Sequence, residues 1–249
     1  IRKCEAAIVH LNAVTVAPMA WSAREAGAKV LCLVQETVAR GFVGLRSSLL
    51  RHILSRWTDT VIFISEYDKR VWRCNAPCVE VVPNWVDFKK FDKAVSGSAS
   101  RQDLGLPPDG KILLFMGGIE PIKGTLPLLR ALALLSEFRN LLLVIAGYNS
   151  KPGRTSLSFL QRVRASARSH LGVDYHKQVA DFITDNGLSE RVRFVGMSDD
   201  VVPLYAAADL VAFPATSPHQ ARPVLEAGAM AKPVVVSDFA NLREFVEDG

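Results

Sequence analysis

The sequence predicts an α/β protein built from two doubly wound, parallel-sheet domains. Three observations carry the prediction: nine short apolar runs, helix-length segments between them, and a change of composition near the middle of the 249 residues. The strand candidates are Ala6–His10, Val30–Val34, Val61–Ile64, Val79–Val82, Ile112–Met116, Leu141–Ala146, Val192–Val195, Leu210–Phe213 and Val234–Val236. Runs that are apolar on both faces and alternate with helices are what parallel sheets covered on both sides require. Nine such strands would strain one sheet in a chain of this length. The stretch Lys93–Ser100, followed by Leu106-Pro107-Pro108-Asp109-Gly110, reads as a connector. The expected domains are therefore residues 1–95 and 96–249.

Between the strand candidates, helical patterns cover Gly44–Trp57, Gly124–Phe138, Leu157–His170, Tyr175–Asn186 and Val224–Ala231. Composition then removes several function classes. Hydrophobic residues at 49% and charged residues at 22% are an ordinary globular mixture, which excludes a wholly disordered chain. Thirty Lys and Arg against 25 Asp and Glu leave +5, too small an excess to call for a nucleic-acid partner. No stretch approaches the ~20 unbroken apolar residues of a membrane span. The opening Ile1-Arg2-Lys3-Cys4-Glu5 does not read as a leader peptide. Cys4, Cys32, Cys74 and Cys78 are too few for a disulfide scaffold and fit the thiols of a cytoplasmic protein. Cys74 and Cys78 have no second pair to complete a zinc site, so no metal is expected.

Several familiar signatures fail on position. Gly105–Lys111 has the spacing of a phosphate-binding loop, but Ile112 stands where a hydroxyl must hold magnesium, and the loop precedes a strand. A dinucleotide fingerprint is missing, which counts against a dehydrogenase. So is a nucleophile elbow. Asp199-Asp200 reads as a helix cap. Any phosphate held here has to be held by backbone amides and cationic side chains.

In open parallel sheets ligands gather at the carboxyl ends of strands, where loops enter helix N-termini. Two loops qualify. In Phe115–Gly124 a strand ends at Met116, Gly117 and Gly118 let a ligand approach the backbone, and Lys123 precedes a helix. Amide dipoles and an ammonium there suit a diphosphate; the plainer alternative is a tight turn with a solvated Lys. In Pro214–Pro233 a Pro/Ser loop leads to Pro223, suited to a first helical position, and places Glu226 in the first turn. A carboxylate there is able to accept two ribose hydroxyls, or simply to cap the helix.

Read together, these loops resemble the carboxyl-terminal half of family 4 glycosyltransferases, which have the GT-B fold. The resemblance rests on Phe115-Met116-Gly117-Gly118, Lys123-Gly124, Pro214, Glu226-Ala227, Met230-Ala231 and Pro233-Val234-Val235. Ile145-Ala146-Gly147, Arg191-Val192-Arg193-Phe194-Val195-Gly196 and Val82-Pro83-Asn84-Trp85-Val86-Asp87 add to it, the last with Trp85 for a Gly. It implies two Rossmann-like domains, the amino-terminal one incomplete and the other lacking its last segment. The implied activity is transfer of a sugar from a nucleoside-diphosphate sugar, with retention, without metal or cofactor, to a glycan, lipid-linked or small-molecule acceptor. By position, Lys123 with Gly117 and Gly118 would meet the donor's diphosphate, Glu226 the ribose, and Val195-Gly196 the base.

Three family residues are replaced: an Arg by Gly118, a Glu by Pro218 and an amino-terminal His by Gln35. These substitutions, together with the implied missing ends, keep open a second reading, a nucleotide-sugar-binding or scaffold protein with weak or no turnover. Arg222, just before the expected helix, is a candidate to supply the charge missing at 118; the alternative is pairing with Glu226 or solvent. His219 has a similar claim on the donor sugar. The segment Phe42–Trp57 is amphipathic and basic, able either to rest peripherally on an anionic membrane or to pack on the sheet. A second basic stretch carries Lys151, Arg154, Arg162, Arg164 and Arg168.

Overall fold

The computed structural model describes residues 5–37, 44–92, 94–95, 97–148 and 175–248. The helix expected at Leu157–His170, the second basic stretch and Cys4 lie outside the described residues. The chain forms two compact units. Unit 1 comprises residues 1–85, 218–222 and 238–249; unit 2 comprises 86–217 and 223–237. The division follows Trp85 instead of the Ser-rich stretch. That stretch is not purely a connector, because Gly97–Asp103 is helical and buries Ser100.

Unit 1 holds β1 (Ile8–Leu11), α1 (Met19–Glu25), β2 (Lys29–Val34), α2 (Leu45–Trp57), β3 (Thr60–Phe63), α3 (Glu66–Trp72) and β4 (Cys78–Val81). The strands are parallel and lie in chain order, β1-β2-β3-β4. Alternation makes the core: Val30, Cys32 and Val34 of β2 are buried, and so are Val61 and Phe63 of β3. Ala20 and Ala23 of α1, Leu50, Ile53 and Leu54 of α2 and Trp72 of α3 complete it. The amphipathic face of α2 is thus spent on the sheet, with Arg46 and Arg56 outside. Burial among these apolar groups pushes the Cys32 thiol up to about 12, so it is a packing group and not a thiolate.

The amino end of α3 is satisfied completely. Ser65 Oγ accepts the Asp68 amide and donates to Asp68 Oδ2 at 2.6 Å. Both oxygens of Glu244 accept from α3, taking the Glu66 amide at 2.9 Å and the Tyr67 amide at 2.6 Å. Within unit 1, this carboxylate fastens the segment that carries Glu244 to α3.

Unit 2 holds α4 (Gly97–Asp103), β5 (Lys111–Met116), α5 (Thr125–Leu134), β6 (Leu141–Tyr148), α6 (Tyr175–Asp185), β7 (Val192–Gly196), α7 (Val202–Ala207), β8 (Leu210–Phe213), α8 (Arg222–Ala229), which begins at the unit boundary, and β9 (Val234–Val236). Its parallel sheet runs β7-β6-β5-β8-β9. Central β5 is buried on both faces. Ile112 and Leu114 pack with Tyr205, Ala207, Ala227 and Met230 from α7, α8 and the residue following α8. Leu113 and Phe115 pack on the opposite side with Leu129 of α5 and Val179 and Ile183 of α6. Helices cover both faces, which defines a doubly wound sheet.

The false phosphate loop is structural. Lys111 opens β5 and lies 3.4 Å from Asp209, which also takes Arg101 at 2.8 Å and the Ile112 amide at 2.7 Å. Asp200 does cap α7, accepting the Val202 amide at 3.2 Å.

Candidate functional site

Strand order locates the site in unit 2. From β5 the chain moves outward through β6 to β7, then returns to place β8 on the other side of β5. The loops leaving β5 and β8 therefore diverge from a switch point, where a parallel sheet opens a crevice at its carboxyl edge. These are the two loops singled out by sequence.

After Met116 the first loop crosses the end of β6. The Gly118 amide donates to the Ala146 carbonyl at 3.0 Å. Gly118 has φ +63°, and a Cβ there would stand 3.0 Å from the Gly147 carbonyl oxygen, so a side chain at this position is opposed by both backbone conformation and space. Gly118 is thus a residue that lets two loops nest. Gly117 is half-buried beside it. A single 3₁₀ turn, Pro121–Lys123, then delivers half-buried Lys123 to the start of α5. Buried Thr125 fastens the loop from inside, its hydroxyl 3.2 Å from the Gly118 carbonyl.

The second loop is sewn to the first. Thr216 donates its amide to the Ile122 carbonyl at 3.0 Å and its hydroxyl to the Pro121 carbonyl at 3.0 Å. Gly124, at φ +83°, lies so close to Pro214 that a Cβ would overlap the Pro214 carbonyl oxygen. Lys123 is held between these two contacts.

The helix after the second loop starts one residue earlier than expected. Arg222 is its first residue and exposed, Pro223 the second, and Glu226 the fifth, beyond the first turn. Glu226 is therefore not a capping acid. It is buried, and its Oε2 accepts the Tyr205 hydroxyl at 2.7 Å. Sequence reasoning missed Tyr205, since a Tyr within an apolar helix reads as core and only the fold sets it against a carboxylate. Val195 and Gly196 end β7, on the far side of β6 from β5, and a Cβ on Gly196 would meet open space. His219 and Arg222 belong to the short segment assigned to unit 1, where the His219 carbonyl accepts from the Asn241 amide group at 3.1 Å. Pro218 lies in the same segment.

At the carboxyl ends of β1 and β2 in unit 1, Gln35 donates to Asn12 Oδ1 at 2.9 Å. Its neighbour Glu36 accepts the Val14 amide at 3.0 Å, and Trp72 donates to the Glu36 carbonyl at 3.0 Å. A cavity of about 130 Å³ adjoins them, lined largely by apolar surface of Val14, Leu50 and Trp72. Cys78 lies within hydrogen-bond reach of Glu80 and Cys74 of Ser55. Among the described residues no three His, Cys, Asp or Glu side chains gather as a metal site. No helix among them is long and apolar enough to cross a membrane.

Residues 98–249 match the model of the glycosyl transferases group 1 family. The chain belongs to that family. A D-inositol 3-phosphate glycosyltransferase of Kineococcus radiotolerans is 35% identical over 173 residues, covering 68% of this chain and 36% of that protein. One from Salinispora tropica is 30% identical over 210 residues, covering 80% and 39%. The chain thus spans well under half the length of these curated relatives. Among solved structures, Anabaena Alr3699/HepE in complex with UDP-glucose superposes with a TM-score of 0.80 at 22% identity, over 97% of this chain and 62% of that one. Sucrose-phosphate synthase from Thermosynechococcus elongatus gives 0.73 at 22% identity, over 96% and 57%. These likenesses establish the two-unit GT-B fold read from the sequence.

Proposed function

We propose that this chain carries the donor-binding machinery of a glycosyltransferase that moves a sugar from a nucleoside-diphosphate sugar to an acceptor, with retention and without metal. The observation that carries the reading is the seam between Thr216 and Pro121-Ile122, which joins the β5 and β8 loops at the switch point of the sheet. In this reading Lys123 and the Thr125 amide at the start of α5 offset the diphosphate charge as it develops on the leaving group; the Leu126 amide is taken by the Tyr175 hydroxyl at 3.1 Å and Pro127 has none to offer. Gly117 and Gly118 admit the phosphates, Glu226 takes the ribose hydroxyls, and Val195-Gly196 edges the base. From sequence position alone, Arg222 is the residue proposed to supply the cation missing at 118, and His219 the one proposed for the donor sugar. A fixed cation at a departing diphosphate is worth roughly 10²–10³ in rate.

Solved relatives bound to UDP or UDP-glucose support a uridine nucleotide as the first donor to test. The names of the curated relatives support a phosphorylated inositol as the first acceptor. The reading places the protein in the cytoplasm and uses the outer face of α2, opposite the one packed on the sheet, for peripheral contact with anionic membrane, since Leu45, Arg46, Leu49 and Arg56 are exposed there. Flotation with anionic vesicles at low salt tests that contact, and absence of binding removes it.

The decisive experiment is calorimetry with UDP, GDP and ADP on the wild type, Lys123→Ala and Glu226→Gln. The proposal expects one nucleotide to bind and each variant to weaken it at least tenfold without unfolding. Unchanged affinity in both variants would overturn it. Gly118 in place of an Arg and Gln35 tied to Asn12 favour a second reading, binding without turnover. Release of labelled sugar from the donor rules that reading out.

A further inference from the structure

We infer that Tyr205 is a positioning residue for Glu226 and sets the site's preference for ribose over deoxyribose. The inference rests on the ribose role proposed for Glu226. Tyr205 is fully buried, and a phenol taken out of water needs a partner for its hydroxyl. It finds that partner in a carboxylate, at 2.7 Å, the short distance of a hydrogen bond to a charged acceptor.

The ring has little room to move. It meets the Phe91 ring edge-on, centroids 5.9 Å apart at 67°, and packs in one cluster with Val202, Ala206, Ala227 and Met230. Its hydroxyl is therefore a fixed point. A Glu side chain on a helix has three rotatable bonds, and its terminal torsion is broad. Anchoring Oε2 to a rigid core removes that freedom before any ligand arrives and sets the plane of the carboxylate. The bond also joins α7, which follows β7, to α8, which follows β8, on one face of the sheet. A carboxylate held in one orientation discriminates between a sugar that offers a 2′-hydroxyl and one that does not, because the deoxy sugar leaves a buried acceptor unmatched.

The test measures affinity for the tightest of UDP, GDP and ADP, and for its 2′-deoxy counterpart, in the full chain. Wild type is expected to favour the ribonucleotide at least tenfold. Tyr205→Phe keeps the ring and removes the hydroxyl; it is expected to weaken the ribonucleotide about fivefold and to narrow the preference at least threefold. Phe91→Leu disturbs the packing of the ring and leaves the hydroxyl in place. It is expected to lower the melting temperature and to narrow the preference less than Tyr205→Phe does. If Glu226→Gln abolishes the preference while Tyr205→Phe leaves it unchanged, Tyr205 only packs the core and the inference is overturned while the ribose role stands. If wild type shows no preference, or Glu226→Gln does not alter it, the ribose role fails and takes the inference with it.

Discussion

Thr216 holds Ile122 by a backbone hydrogen bond of 3.0 Å, so two loops 94 residues apart in sequence move as one. The Thr216 hydroxyl strengthens the seam by donating to the Pro121 carbonyl. Thr216→Val keeps the shape of the side chain and removes those hydroxyl bonds. The expected cost is about 1 kcal/mol of stability and a fewfold loss of nucleotide affinity, since Lys123 is left less firmly placed. Calorimetry on the two proteins measures it, and equal affinities would show that the backbone bond alone suffices.

Gly124 and Gly228 give opposite expectations for the same substitution. Gly124→Ala forces a Cβ into the Pro214 carbonyl at a positive φ, and a loss of about 3 kcal/mol or more is expected, with nucleotide binding lost as the loop is displaced. Gly228 lies in α8 with open space where its Cβ would be. Gly228→Ala is expected to stabilise by up to about 1 kcal/mol. Urea titration of the pair decides: a tolerated Gly124→Ala would mean that the two loops are not in contact.

Asp209 gives unit 2 an acid-sensitive joint. Burial opposes its charge, but the Ile112 amide, Arg101 and Lys111 outweigh that and hold its carboxyl below the ordinary 3.8. A carboxylate with a lowered folded pKa contributes fully above the unfolded value and loses that contribution as pH falls through the folded one. The difference in stability between wild type and Asp209→Asn should be constant near neutrality and shrink below about pH 4. Melting temperatures from pH 7 to pH 2.5 follow it; a difference that persists undiminished at the acid end would assign the effect to packing.

Glu244 should matter for unit 1 out of proportion to its exposed position. Glu244→Gln keeps one acceptor oxygen but loses the charge facing the amino end of α3 and Arg70, 3.5 Å away. The expected loss is about 1 kcal/mol, and Glu244→Ala should cost about twice that. Hydrogen exchange at Glu66 and Tyr67 should speed up in both variants. Protection equal to wild type at those amides would show that residues 238–249 are held by other contacts.

How far the sequence was legible differs by element. All nine strands were visible because short β-branched runs such as Val30–Val34 and Val234–Val236 have no other use. Helices α1, α3 and α4 were not read, and α7 only through the cap at Asp199-Asp200. They are six or seven residues long, too short for a 3.6-residue period to stand out, and α4 is written in Gly, Ser, Ala, Arg, Gln and Asp, with no large apolar residue to mark a buried face. The start of α8 was misplaced by one residue because Pro223 is as well suited to the second helical position as to the first.

By itself the sequence determined the class of the fold, the two loops that leave the switch point of the second sheet and the family to which the chain belongs, because strand runs, loop glycines and a Lys before a helix are local facts. Tertiary structure alone decided three things: that Thr216 fastens one loop to the other, that Gly118 is small in order to nest against Gly147, and that Tyr205 holds Glu226. Each depends on groups brought together across a sheet whose strand order, β7-β6-β5-β8-β9, is set by which faces can be buried jointly, and no stretch of sequence records that.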